Sequence, residues 1–245
     1  MRLLCVTAHP DDEAGNFGGT LLLYRQRGVE TYVICLTPGQ AATHRGGASS
    51  DEALAKMRRA EFAASCRILQ VTHGEVLDYP DGRLDRTNLY EVVGDLVARV
   101  RRIRPHVMLT FGPEGSLTAH TDHGMASIFA TMAFHWAGRE DRFPEQLDSN
   151  LRPHRTQKLY YATADFLLPG RPPISPPPAT TVIEIGRLVE VKVAAFKQHT
   201  SQAPLFQLFE NHVSKRGTRE FFHLAARATP SALTAETDLF EGVAD

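Results

Sequence analysis

Residues 2–13 read Arg-Leu-Leu-Cys-Val-Thr-Ala-His-Pro-Asp-Asp-Glu, an apolar run that turns abruptly acidic. The apolar part, residues 2–7, has the length and composition of a short buried strand. A helix from about Ala14 to Arg27 follows and is ended by Gly28, and residues 31–37 form a second apolar strand. This strand–helix–strand order predicts two parallel strands, with the acidic residues at the carboxyl end of the first.

The alternation of strands and helices continues along the chain. Further helices are predicted at residues 51–69 (capped by Ser50), 88–102, 122–136 and 186–199, and further strands at residues 76–77, 106–111, 158–163 and 181–185. Such alternation is typical of a parallel sheet covered by helices on both faces. We therefore expect one Rossmann-like α/β domain over residues 1–245, with a mostly parallel sheet. The proline-rich residues 169–178 are predicted to be a surface connector.

Composition and charge exclude several classes of protein. The formal net charge is −1 without a long run of one sign, so we expect no nucleic-acid partner. No stretch approaches the roughly 20 apolar residues of a membrane span, and residues 9–12 interrupt the first apolar run too early for a signal peptide. Three scattered cysteines favour a reducing cytoplasm and no disulfide framework. The sequence leaves a monomer and a homo-oligomer open.

The segment His9-Pro10-Asp11-Asp12-Glu13 is the first candidate for a metal site. Consecutive acids beside a histidine repel one another unless a cation is bound. Zinc accepts imidazole nitrogen and carboxylate oxygen, and a catalytic zinc site uses three protein ligands plus water. The alternative is an acidic first helical turn, which the helix dipole favours without any metal.

The segment His120-Thr121-Asp122-His123 is the second candidate. Two histidines three residues apart at a helix start can share a pocket; alternatively, they are a solvated pair beside a cap supplied by Asp122. Both candidate segments follow predicted strands, and ligands of parallel sheets gather beyond the carboxyl ends of the strands. We therefore predict a metal site. Two histidines and one aspartate also describe an iron(II) site.

The chain resembles the PIG-L/LmbE family of zinc-dependent N-deacetylases over nearly its whole length. The shared motifs are His9 to Glu13, Gly18-Gly19-Thr20, Arg58 with Glu61, Gly112-Pro113-Glu114-Gly115, His120 to His123, and His199-Thr200-Ser201-Gln202. The first and fourth of these segments are specific to the family, and the others support the resemblance. It implies hydrolysis of the acetyl amide of a small-molecule N-acetylglucosaminyl conjugate or a related N-acyl substrate.

The resemblance also implies the role of each site residue. The zinc ligands would be His9, Asp12 and His123. Asp11 would be the general base, and His120 would stabilise the oxyanion or help to protonate the leaving amine. Asp122 would orient a histidine from outside the ligand set.

The substrate contacts are predicted on weaker grounds. Arg58 would reach a hydroxyl or an anionic group, or would be a solvated or ion-paired helix residue beside Glu61. Asp81 would face sugar hydroxyls or only form its Asp-Gly turn, and His199 would border the pocket or end a helix. The loop at residues 38–50 is rich in small residues and is predicted to be mobile, with closure over a substrate left open.

The chain departs from the family pattern at several positions. Ala119 and Thr121 stand where the family usually has glycine and proline around the first histidine. Thr118 stands where some sugar-deacetylating members have tyrosine, and Gln40 where many carry an acid. These departures leave the predicted metal ligands in place. They leave open which residue protonates the leaving amine and which substrate fits the site.

Other function classes remain as alternatives. Gly15, Gly18 and Gly19 do not form the Gly-x-Gly-x-x-Gly pattern, so a nucleotide-dependent Rossmann enzyme is disfavoured. A non-catalytic metal-binding protein on the same fold would not need Asp11 or His120. A hydrolase of a different amide substrate stays open.

Overall fold

A computed structural model describes residues 1–148, 150–168, 170, 172–230, 232 and 234–244. Its strands are β1 (Arg2–Thr7), β2 (Glu30–Cys35), β3 (His73–Val76), β4 (Val107–Phe111), β5 (Lys158–Thr163), β6 (Thr181–Glu184) and β7 (Arg219–Arg227). All of them join one sheet in the order β3-β2-β1-β4-β5-β7-β6. Neighbours from β3 to β5 pair in parallel, and β7 pairs antiparallel with both β5 and β6.

The helices are α1 (Asp12–Gln26), α2 (Asp51–Ile68), α3 (Leu89–Ile103), α4 (Thr121–Trp136), α5 (Glu145–Asp148), α6 (Leu188–Phe196) and α7 (Phe206–Arg216). Short 3-10 helices lie at Leu84–Arg86, Ser116–Thr118 and Thr200–Leu205. The predicted cap of α2 is confirmed, since Ser50 Oγ accepts a hydrogen bond from the Ala53 amide at 3.1 Å. Within the described residues, no helix combines the length and apolar character needed to cross a membrane.

The sheet is buried at its centre and covered on both faces. Residues of β1 and β4 are almost entirely without solvent contact, as expected for strands of a parallel sheet sandwiched between helices. α1 and α2 both pack against α6, while α3 packs against α4. The predicted Rossmann-like, mostly parallel α/β fold is therefore confirmed.

The order in which strands are added to the sheet reverses at β1: β2 and β3 extend the sheet on one side, and the later strands extend it on the other. β1 pairs with β2 on one side and with β4 on the other. The loops after β1 and β4 therefore diverge, which opens a crevice at the carboxyl ends of these two strands. Both candidate metal segments follow these two strands.

Several predicted bounds need correction. β3 lies at His73–Val76 instead of residues 76–77, because this edge strand is half exposed and lacks an apolar run. α7 and β7 were not predicted at all, since α7 buries none of its residues and so shows no clear apolar stripe. In the proline-rich connector, Pro169 and Arg171 lie outside the described residues; its other residues form neither helix nor strand.

Candidate metal centre and active site

The turn between β1 and α1 places two acids in different surroundings. Asp11, which precedes the first helical residue, has φ 112° and ψ −24°, a backbone conformation that costs a non-glycine residue about 1–3 kcal/mol. Hydrogen bonds offset this strain: the Asp11 amide donates to Glu13 Oε2 at 2.9 Å, and the Gly15 amide donates to the Asp11 carbonyl at 2.8 Å. Strain of this kind is concentrated at functional sites.

Asp12 lies between the two predicted histidine ligands. Its Oδ1 is 3.1 Å from His123 Nε2, and its Oδ2 is 3.6 Å from His9 Nδ1. All three residues are buried, with exposures of 5% for Asp12 and 8% for each histidine. Burial alone would raise the pKa of Asp12, but the two imidazoles outweigh it and hold the pKa well below its ordinary value. Asp12 is therefore an ionised carboxylate, as a metal ligand must be.

Two further carboxylates contact the other nitrogen of His9. His9 Nε2 is 3.0 Å from Asp81 Oδ1 and 3.2 Å from Asp122 Oδ2. Asp122 is itself fixed by the amides of Gly82 (2.7 Å) and Leu84 (3.1 Å). Nε2 thus faces Asp81 and Asp122 while Nδ1 faces Asp12, an arrangement in which outer carboxylates would orient a metal-binding histidine. Burial lowers the pKa of His9, but its carboxylate partners raise it well above the ordinary value.

His120 lies at the mouth of the same cluster. Its ring centre is 4.8 Å from that of His9 and 5.0 Å from that of His123. Burial, followed by the neighbouring imidazoles, lowers the pKa of His120, so the neutral ring is favoured. Its Nδ1 accepts a hydrogen bond from the Asp122 amide at 3.1 Å. The proton of the neutral ring is therefore on Nε2, where it can be donated to a ligand.

The donor set fits a divalent metal ion. Two sets of three side chains could each hold an ion, because the donor atoms within a set all lie within 4.8 Å of one another. One set is His9, His120 and His123, and the other is His9, Asp81 and Asp122. His123 stacks on Phe111 at 4.1 Å, and its Nδ1 is buried with no hydrogen-bond partner in the described part of the chain. Buried carboxylates packed this closely require compensating positive charge. Imidazole and carboxylate are ligands that suit zinc and iron.

Asp11 contacts a cation instead of the histidines. Its Oδ2 is 3.0 Å from Arg58 Nη2. Burial raises the pKa of Asp11 to about 6, against the opposing effect of Arg58 and with a further increase from Asp12. A carboxyl group with this pKa can accept and return a proton near neutral pH.

Arg58 is buried and holds the loop backbone in place. It donates to the carbonyl of Gly39 at 3.1 Å and to the carbonyl of Pro10. Its ion-pair partner is Asp11 and not Glu61, the neighbour that the sequence suggested as an alternative. Its side chain also lines the cavity described below.

His199 lies behind the turn and does not line the cavity. It is fully buried, and its Nε2 is 2.8 Å from Glu13 Oε1, which also accepts a hydrogen bond from Ser65 Oγ at 2.6 Å. Since Glu13 accepts from the Asp11 amide through its other oxygen, this chain of contacts supports the strained turn. The predicted substrate contact of His199 is therefore replaced by a supporting role. Sequence reasoning gave Glu13 no role, although it continues the acidic run.

A cavity of about 420 Å³ opens onto the candidate centre. Its lining includes the residues placed above: His9, Asp11, Asp12, Arg58, Asp81, His120 and His123. Ala41, Ala42 and Thr43 of the loop at residues 38–50 form part of its wall. Of the substrate contacts predicted from the sequence, Arg58 and Asp81 thus reach the cavity.

A second part of the cavity was not foreseen from the sequence. It is lined by residues of α6, α7 and the segments beside them: Leu168, Lys192, Phe196, Leu205, Phe209, Val213 and Arg216. Because α7 has no buried apolar stripe, nothing in the sequence indicates that it covers the site.

The chain has extensive similarity to known proteins. Residues 4–134 match the family model described as PIG-L, GlcNAc-PI de-N-acetylase. The chain is 30% identical to the diacetylchitobiose deacetylase of Thermococcus kodakarensis, over 86% of this chain and 74% of that protein. It is also 30% identical to the 1D-myo-inositol 2-acetamido-2-deoxy-alpha-D-glucopyranoside deacetylase of Streptomyces avermitilis, over 99% of this chain and 97% of that protein.

Solved structures with the same fold include enzymes of different reactions. N,N'-diacetylchitobiose deacetylase from Pyrococcus horikoshii matches with a TM-score of 0.75 at 24% identity, over 91% of this chain and 83% of that one. GalB, the 4-carboxy-2-hydroxymuconate hydratase from Pseudomonas putida, matches with a TM-score of 0.75 at 19% identity, over 95% and 99%. At these identities the likeness shows the fold, and the reaction depends on the site built on it.

Proposed function

The chain belongs to the PIG-L family of de-N-acetylases, and from this membership we propose that it is a zinc-dependent amidohydrolase that removes the acetyl group from an N-acetylglucosaminyl conjugate. The observation that carries the proposal is the convergence of His9, Asp12 and His123, with Asp11 beside them but free of their contacts. We also infer that residues 1–245 form one domain, because all described strands belong to one sheet.

The ligand assignment follows from the nitrogen and oxygen atoms that face one another. His9 Nδ1, Asp12 and His123 Nε2 would hold the ion, since His9 Nε2 is engaged by Asp81 and Asp122. A bound zinc ion supplies a polarised amide carbonyl and a water molecule whose pKa is lowered towards about 7. The same donors also bind iron(II), so zinc is proposed on the strength of the family resemblance.

Asp11 is proposed as the general base. It accepts a proton from the attacking water while the water oxygen bonds to the amide carbon. The pKa of about 6 leaves Asp11 mostly ionised at neutral pH yet basic enough to take this proton. The Arg58 guanidinium, 3.0 Å away, holds the carboxylate in position.

His120 is proposed to stabilise the developing oxyanion. Its Nε2–H is available because Nδ1 accepts from the backbone, and a fixed donor at the site of developing charge lowers the barrier. When the carbon–nitrogen bond breaks, the nitrogen takes a proton from Asp11 or His120, and the products are acetate and the free amine. Asp122 orients His9 throughout.

The substrate is proposed to be an N-acetylglucosaminyl conjugate because two relatives at 30% identity are named for acetamido-sugar deacetylation. Arg58 and Asp81 line the cavity and are retained as proposed substrate contacts. The second candidate is hydrolysis of a different amide substrate on the same centre.

Amine release from a panel of N-acetylglucosaminyl conjugates tests the proposal. The purified protein is assayed as isolated, after chelation and after return of zinc, with its metal content measured at each step. We expect amine release that vanishes with chelator and returns with zinc. Bound zinc without amine release from any of these conjugates would favour the second candidate.

A further inference from the structure

The start of α1 is capped in an unusual way. An aspartate that precedes a helix normally uses its own carboxylate to accept hydrogen bonds from the amides of the first turn. Asp11 makes no such side-chain bond. Instead Glu13, two residues on, accepts a hydrogen bond from the Asp11 amide at 2.9 Å. The Asp11 carboxylate is therefore not used in capping; it lines the cavity and pairs with Arg58 at 3.0 Å.

Glu13 is itself held from behind the turn. It is fully buried and is not part of the cavity lining. Its Oε1 accepts from Ser65 Oγ at 2.6 Å and is 2.8 Å from His199 Nε2, and both of these residues are fully buried as well. A buried carboxylate held by several hydrogen bonds inside the protein has one favoured position. Glu13 can therefore fix the backbone of the turn to which its Oε2 is bonded.

Asp12 is fixed by different groups. Its Oδ2 accepts from the amides of His9 at 2.8 Å and Ala8 at 3.2 Å, and its Oδ1 is 3.1 Å from His123 Nε2. None of these three contacts involves Glu13. Loss of the Glu13 carboxylate should therefore leave this candidate metal ligand in place.

We propose that Glu13 is a positioning residue that gives the two adjacent aspartates different roles. Its hydrogen bond to the Asp11 amide stabilises the left-handed backbone at that residue, φ 112°, which directs the Asp11 carboxylate towards Arg58 and away from the candidate ligands. A hydrogen bond to an ionised carboxylate is stronger than a neutral one, and a strained conformation persists only where its surroundings enforce it. The inference rests on the proposed function, because it takes Asp11 to be the general base.

Replacement of Glu13 by Met tests the inference. Methionine is similar in length but offers no strong acceptor to the Asp11 amide. We expect kcat for amine release to fall about tenfold or more, since a small misplacement of a reacting group is costly, while KM and zinc affinity stay close to the wild-type values. Glu13→Gln keeps a carbonyl acceptor and should retain more of the activity. Steady-state kinetics and competition with a chelator measure these quantities.

Glu61→Met is the matched control. Glu61 is also buried, and it accepts from Thr200 Oγ1 at 2.8 Å and Ser201 Oγ at 2.7 Å, which lie outside the turn that contains Asp11. Both Met variants should melt at a lower temperature than the wild-type protein, but Glu61→Met should keep its kcat. Should Glu13→Met not fold, the comparison is made between Glu13→Gln and Glu61→Gln, with the larger loss of kcat expected in Glu13→Gln.

Crystal structures of the zinc-loaded variant and wild-type protein give a readout that does not depend on turnover. We expect Asp11 in Glu13→Met to leave the left-handed region and its contact with Arg58. An unchanged Asp11, equal losses of kcat in the Glu13 and Glu61 variants, or a loss of zinc affinity as large as that of kcat would overturn the inference. Failure of the proposed function is separate: it would appear as no amine release by the wild-type protein, and the conformation of Asp11 in the variant would still decide the positioning role.

Discussion

Asp11 and Asp12 are adjacent in sequence but lie in opposite electrostatic surroundings. Burial raises the pKa of Asp11 to about 6, whereas the imidazoles of His123 and His9 outweigh burial and hold the pKa of Asp12 low. The left-handed backbone at Asp11 lets two consecutive carboxylates face different partners. A metal ligand and a general base need these different properties, so one dipeptide would supply both in the proposed mechanism.

Replacement of Asp11 by Asn should leave the metal bound but slow catalysis. An amide cannot take the proton from water, so we expect kcat to fall about 10²–10⁴-fold with unchanged metal content. Steady-state kinetics and metal analysis on the same preparation measure both. The exposed Asp85→Asn is the control, and wild-type turnover in Asp11→Asn would remove this residue from the mechanism.

Replacement of Asp122 by Asn should weaken metal binding. Asp122 accepts from the amides of Gly82 and Leu84 and from His9 Nε2, and Asn would turn an amide group towards one of these donors. We expect zinc affinity to fall about 10–100-fold, measured by competition with a chelator. Unchanged affinity in a variant that melts like the wild-type protein would contradict the orienting role.

At the scale of elements, the loop at residues 38–50 is fastened at several points. Arg58 donates to the Gly39 carbonyl, Gln202 donates to the His44 carbonyl at 2.9 Å, and the Ala41 amide donates to Asp81 at 2.8 Å. The sequence predicts a mobile loop from its small residues alone, because these tethers come from residues distant in the chain. Gly39, at φ +69°, packs directly on the Arg58 guanidinium.

Gly39→Ala should impair activity far more than Gly47→Ala. Both glycines lie in the loop at positive φ, but a Cβ at Gly39 would lie 2.1 Å from Arg58 Nη1, whereas one at Gly47 has no neighbour within 4 Å. Both substitutions therefore strain the backbone, but only Gly39→Ala would also displace Arg58 from Asp11. We expect kcat/KM to fall about tenfold or more only in Gly39→Ala. Equal losses in the two variants would show that this packing does not matter.

The elements that could be predicted are those whose pattern is local. β1 and β5 have the predicted bounds, and Ser50 caps α2 as expected. α7 could not be predicted, because it packs through few apolar contacts and its importance depends on the cavity beneath it. The His/Asp cluster was therefore foreseen from two short segments, whereas the part of the cavity lining that α7 contributes was not.

At the scale of the whole molecule, a buried ion pair ties the C-terminal segment to the sheet. Glu236 Oε1 is 2.9 Å from Lys158 Nζ of β5 and 2.7 Å from Arg227 Nη2 of β7. Burial would raise the pKa of Glu236, but the hydrogen bonds of Tyr160 and Lys158 and the charge of Lys158 outweigh it and lower the pKa. No local sequence pattern indicates a partnership across 78 residues.

Stability should fall in acid partly through Glu236. Its folded-state pKa lies below the ordinary value of 4.5, so its contribution is complete above about pH 4.5 and is lost as the pH falls through the folded-state pKa. We expect Glu236→Gln to lower the free energy of unfolding by about 3 kcal/mol at pH 7, with a gap that narrows in acid. Denaturant unfolding from pH 7 to pH 3 measures this, with the exposed Glu140→Gln as control. A gap independent of pH would contradict the assignment.

The position of the metal ion is the most direct test of the candidate centre. Crystals of the zinc-loaded protein, measured on both sides of the zinc absorption edge, locate the ion by its anomalous scattering. We expect one peak about 2.0–2.2 Å from His9, Asp12 and His123, with Asp11 outside the ligand set. A peak between His9, Asp81 and Asp122 instead, or none at all, would contradict the account of this centre.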